Sequence, residues 1–138
     1  MIRFPAPTLV VAALSFLMPL QAGAADSGGY WGGIAEEVCA AIDQAEALAR
    51  AGKPDEAKEA VITAYFALFE DKKMEIAERQ SLGEQHIVGV EDQFNALRKA
   101  AGRQTDLHAL AEPLRQALRV DAKALDTAKV AADGKGGQ

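Results

Sequence analysis

Apolar side chains in this chain recur at spacings of three and four, stretch after stretch, and nowhere alternate with period two over the length of a strand. Ile34, Val38, Ala41, Ile42, Ala45, Leu48 and Ala49 form one such stripe, and Ile87, Val90, Phe94, Leu97 and Ala101 form another. A stripe of this kind covers one side of an α-helix and must be buried against a second helix. Everything after about Gly33 is therefore expected to be helical. Four such segments with short connections predict an all-α fold, an antiparallel up-down four-helix bundle over residues 34–132.

The helix boundaries follow from punctuation residues. The first helix is expected from Ile34 to Ala51, with Gly52 ending it and Pro54 opening the next, whose first turn carries Asp55 and Glu56. That second helix, Pro54 to Glu70, has Ala57, Ala60, Val61, Ala64, Tyr65 and Leu68 on one face, widened by Ile62, Phe66 and Phe69. Asp71-Lys72-Lys73 marks a break or a tightened turn. Ser81-Leu82-Gly83-Glu84 reads as a capping box that starts a third helix running to Ala101, and Gly102 closes it. Thr105 or Asp106 would cap a last helix with Leu107, Leu110, Ala111, Leu114, Leu118, Leu125 and Ala128 along its stripe. Pro113 inside that helix predicts a kink near Ala109 or a short leading turn. Residues 26–33 read as a flexible lead-in, and 133–138 as a disordered tail.

Residues 1–25 read as targeting. Arg3 supplies a positive start, Leu9 to Leu20 is an apolar run too short to span a bilayer, and Ala22-Gly23-Ala24 offers small residues for cleavage. Pro5, Pro7 and Pro19 also oppose a transmembrane helix. The expected product is a protein exported to a bacterial periplasm, not membrane-spanning after signal cleavage. Losing Arg3 leaves 14 of the 15 basic residues against 20 acidic ones, a net charge of −6. An acidic surface excludes the basic footprint that nucleic-acid binding needs, and it suits cations as ligands. Cys39 is the sole cysteine, so no intrachain disulfide forms, and its spacing places it beside an apolar face as a small buried hydrophobe.

No phosphate-binding loop, nucleophile elbow, His-Glu-x-x-His or Cys/His pair is present, so an enzyme is not expected, nor an organic cofactor. The one chemistry with a concrete residue set is a cation site. Glu70 and Glu75 are five apart, about 140° of rotation on an unbroken helix, so their carboxylates converge only if the chain bends between them. Asp71 to Lys73 permits that bend, although Lys72 and Lys73 would place ammonium groups near the pair. His108 and Glu112, four apart, face one way and form a weaker candidate. His86 lies at the rim of the third helix. Glu91 and Arg98 flank its seam and would join a rim network, as ion-pair partners or as outer support for a metal.

Tyr65-Phe66-x-x-Phe69-Glu70-x-x-x-Met74-Glu75, followed by Val90-Glu91-x-x-Phe94-x-x-Leu97-Arg98, resembles the extracytoplasmic helical domain attached to bacterial iron permeases of the FTR1 type. The likeness covers about 35 residues and lacks the permease's Arg-Glu-x-x-Glu membrane segments, so the chain looks like a stand-alone version of that domain. Lys73 stands where the pattern has glycine. The resemblance implies a periplasmic accessory to the uptake of iron or a related divalent metal, working with a membrane iron permease or another uptake component. Glu70, Glu75 and Glu91 would collect or relay the ion. Hard oxygen ligands suit ferric iron, whereas a histidine favours softer divalent ions. The alternative is a ligand-free periplasmic adaptor that docks a partner through the wide apolar face of the second helix.

Overall fold

The computed structural model describes residues 28–134 and is all-helical there. It contains α1 (Gly29–Arg50), α2 (Pro54–Thr63), a π-helical segment (Ala64–Glu70), α3 (Met74–Leu82), α4 (Glu84–Ala101) and α5 (His108–Thr127). The expected cleavable signal at 1–25 lies outside the described residues, as does the end of the expected tail. Among the described residues no helix is long and apolar enough to cross a membrane.

α1 packs against α5, α2 and the π segment, α2 against α4, and α4 against α5, while α3 lies against α4, the π segment and α5. The core between them takes the predicted stripes: Ile34, Val38, Ile42, Ala45 and Ala49 from α1, Ile87, Val90, Phe94, Leu97 and Ala101 from α4, and Ala111, Leu114, Leu118 and Leu125 from α5. Leu110 and Ala128 of the expected α5 stripe are exposed instead. Cys39 is buried, and loss of hydration pushes its thiol up to about 11, so it serves as packing.

Three boundaries differ from expectation, each for a physical reason. α1 begins at Gly29, so residues 29–33 are ordered helix and not a flexible lead-in. The Asp126 carboxylate, on α5, accepts the free first-turn N–H groups of Trp31 and Gly32 at 2.9 and 2.8 Å. The Trp31 ring is fully buried, and its indole N–H donates to the Val130 carbonyl at 2.9 Å. Glycine at position 29 is required, since a Cβ there would stand 2.4 Å from the Asp126 carboxyl carbon. Second, α5 starts at His108 with Leu107 as its N-cap and not the expected Thr105 or Asp106, although the Asp106 carboxylate accepts the His108 N–H at 3.0 Å, and the helix runs to Thr127 with Pro113 inside it.

The third difference concerns the polar stretch after Lys73. Met74 to Leu82 is a helix of its own, so Ser81 lies in its last turn and caps nothing, and the connection to α4 is the single residue Gly83 at φ 102°. The expected four helices are therefore five. The second helix also changes character midway: from Ala64 it widens to π geometry, and the Asp71 N–H reaches back five residues to the Phe66 carbonyl at 3.0 Å.

Lys73 ends this segment in the left-handed region at φ 72°, with its N–H on the Glu70 carbonyl at 2.9 Å. A residue with a Cβ is disfavoured there by about 1–2 kcal/mol. Lys73→Gly is expected to stabilise the protein by up to about 1 kcal/mol, part of the relief being lost to the freer unfolded chain. Thermal unfolding followed by circular dichroism measures it, and a destabilised variant would show that the turn is not held in this conformation.

Candidate metal centre

An aromatic trio fixes the frame of the site. The Phe69 ring is fully buried against Phe94 at a centroid distance of 5.2 Å, and Tyr65 stands 5.2 Å from Phe94 and 5.9 Å from Phe69. These contacts are edge-on or tilted, as ring quadrupoles favour, and they hold the π segment against α4. Phe66 turns outward and is 54% exposed, contrary to the expectation that it widens the buried face. Tyr65, Phe66, Phe94, Glu91 and Arg98 line a cavity of about 300 Å³ between the π segment and α4.

At one end of this frame the Tyr65 hydroxyl donates to Glu91 Oε1 at 3.4 Å. The same carboxylate oxygen accepts from Arg79 Nη2 at 3.1 Å. Arg79, on α3, also donates through Nε to Glu75 Oε1 at 2.9 Å, and its remaining nitrogens reach Glu75 and Glu84. These bonds, those to Glu84 and Glu75 foremost, hold the guanidinium firmly protonated. Burial pushes the Tyr65 hydroxyl up to about 12, and the charges of Glu91, Glu70 and Glu75 push in the same direction. Of the three predicted carboxylates only Glu91 bonds the hydroxyl; Glu75 is tied to Glu91 through Arg79, and Glu70 is exposed and acts on the hydroxyl through its charge alone. Between Glu70 and Glu75 the chain does bend, through the widened π turn and the reversal at Lys73, where a continuous helix would send the two side chains apart.

Lys72, which threatened to neutralise the pair, bonds instead to Glu37 on α1. The cation among the acids is Arg79. Sequence reasoning missed it, along with the Tyr65 hydroxyl, because 74–82 was not set apart as a helix of its own; Glu75 and Arg79 at spacing four were the available signal. Arg98, the other basic residue of the motif, lines the cavity with Glu91 and donates to Asn95 at 3.4 Å.

The weaker candidates fall elsewhere. His108 and Glu112 do not share a partner: His108 Nδ1 lies 3.5 Å from Glu46, and Glu112 accepts from Arg115 at 2.9 and 3.1 Å. Arg115 also binds Asp43 at 2.9 Å and the buried Glu46, so this pair belongs to an ion-pair network joining α1 to α5. His86 sits near the start of α4 and pairs with Asp121 of α5, with Nε2 and Oδ2 2.8 Å apart.

No protein-family model, curated protein or solved structure matched the chain in comparisons. Chemically, the cluster offers the Tyr65 phenol and the carboxylates of Glu75, Glu84 and Glu91, all hard oxygen donors, around a guanidinium that a stronger cation would have to displace.

Proposed function

We propose that this protein is a periplasmic cation-binding accessory to metal uptake, an up-down helical bundle that collects ferric iron or a related ion at Tyr65, Glu70, Glu75 and Glu91 for a membrane permease. The observation that carries this reading is the network in which the Tyr65 hydroxyl and Arg79 share Glu91 Oε1 while Arg79 also holds Glu75, with exposed Glu70 adding its charge nearby. Such a set concentrates negative charge where few neutral side chains compete, and hard trivalent ions bind oxygen donors of this kind best. Arg79 balances the acids while no ion is bound. It retains exposed Glu84 as a partner when displaced, so the exchange leaves no buried charge unpaired. The exposed Phe66 beside the cavity favours a second role for the same face, contact with the uptake partner.

Calorimetric titration with ferric citrate, Fe²⁺, Cu²⁺ and Zn²⁺ tests the reading. Saturable ferric binding with a visible phenolate-to-iron absorption band is expected. Tyr65→Phe should abolish the band, and Glu75→Gln and Glu91→Gln should each weaken binding at least about tenfold, by analogy with the loss of groups around known metal sites. Ferric binding that ignores all three substitutions would refute the site.

A further inference from the structure

α3 carries a second acid whose situation differs from that of Glu75. Glu78 is completely buried, and neither of its carboxylate oxygens has a hydrogen-bond partner among the described residues. An ionisable group left so is costly to keep, since burial strips its water and nothing replaces it. The side chain is not aimed into hydrocarbon. One of its oxygens, a ring nitrogen of His86 and a carboxylate oxygen of Asp121 all lie within 4.8 Å of one another. Three helices thus deliver one ligand atom each to a single point: α3, α4 and α5.

We propose that Glu78, His86 and Asp121 form a binding site for a divalent first-row transition ion, distinct from the Tyr65 cluster. The donor set is one imidazole and two carboxylates, a combination that suits zinc, manganese or ferrous iron more than a hard trivalent ion. Charge balance agrees. Two carboxylates and a neutral imidazole around a divalent cation sum to zero, the state a water-excluded pocket accepts most readily. Bonds of about 2.0–2.2 Å to a tetrahedral ion place ligand atoms about 3.4 Å apart, so the observed cluster closes by small side-chain movements. The His86 and Asp121 atoms, 2.8 Å apart in their direct contact, open slightly to admit the ion. Entry is from the His86 side, since its side chain is 40% exposed while that of Asp121 is 6% exposed. The ion occupies the fourth position with water or with a donor from a partner, as in open three-ligand sites.

This site goes beyond the ferric reading, and the two stand or fall separately because they share no ligand. The test is titration of the full protein with Zn²⁺, and with Co²⁺ as a spectroscopic substitute, followed by calorimetry and visible absorption. One equivalent is expected to bind, with cobalt bands typical of low coordination number. His86→Ala, a change at the surface, should weaken binding more than the roughly 10–100-fold that an outer-shell partner is worth. Glu78→Gln should abolish it, whereas Tyr65→Phe and Glu91→Gln should leave it unchanged. Absence of saturable binding by the folded wild type would overturn the proposal. So would affinity unaltered by His86→Ala, a variant that keeps the test valid even if Glu78→Gln fails to fold.

Discussion

Arg115→Ala is expected to destabilise the protein by about 3–5 kcal/mol, the typical cost of stripping one partner from a buried ion pair. Arg115 is 6% exposed and Glu46 5%, and the guanidinium spreads over Glu46, Asp43 and Glu112. Removing it leaves the Glu46 carboxylate sealed under α5 with only Arg50 at 3.3 Å and the exposed His108 beside it. For a domain of this size, that loss lowers the thermal midpoint by more than about 12 °C. Replacing Arg115 and Glu46 together by methionine should recover most of the stability, because the cost lies in the orphaned charge more than in the missing bond. Urea unfolding of the two single variants and the double variant measures the difference. A single-variant loss below about 1 kcal/mol would mean that the network is solvated.

The second large effect is a pH dependence that runs opposite to that of most carboxylates. Burial raises the Glu78 carboxyl from an ordinary 4.5 to about 9, and the charges of Asp121 and Glu75 push it further in that direction. A group whose folded value lies above its unfolded one contributes stability that is fully present below about 4.5 and is lost as pH rises through about 9. Between those limits the loss is about 1.4 kcal/mol per pH unit. From pH 5 to pH 8 the metal-free wild type should therefore weaken by about 4 kcal/mol relative to Glu78→Gln, which keeps the shape and cannot ionise. Glu36 and Glu112 are lowered by hydrogen bonds from Arg119 and Arg115, so their contributions are lost as pH falls below the ordinary carboxylate range, outside this window. Parallel denaturation curves at pH 5, 6.5 and 8 decide the matter. Equal slopes for wild type and variant would show that Glu78 is hydrated.

Apolar spacing made the helices legible because burial follows it faithfully: every member of the Ile87-to-Ala101 seam is buried, and Pro54 opens α2 as predicted. The start of α1 was not legible, since the group that accepts its first N–H bonds, Asp126, lies 95 residues from Trp31. The helical state of 74–82 escaped for a related reason. Its buried face is Met74, Ala77 and Glu78, too short and too polar to register as a stripe. That omission hid Arg79 and Glu78. Glu70, Glu75 and Glu91 stood out because an aromatic run interrupted by charge is visible in one dimension. Helical geometry requires a bend between Glu70 and Glu75 if they are to cooperate, and the π turn with left-handed Lys73 supplies a bend there.

The proposed site would hold one ion between Tyr65 and the acids around it. Crystals grown with ferric citrate and measured at the iron absorption edge give the most direct test. An anomalous peak is expected within bonding distance of Tyr65 Oη and of carboxylate oxygens from Glu75 and Glu91, with Arg79 swung toward Glu84. Ordered iron found elsewhere, or an unaltered Arg79 bridge between Glu75 and Glu91 at saturating iron, would contradict it.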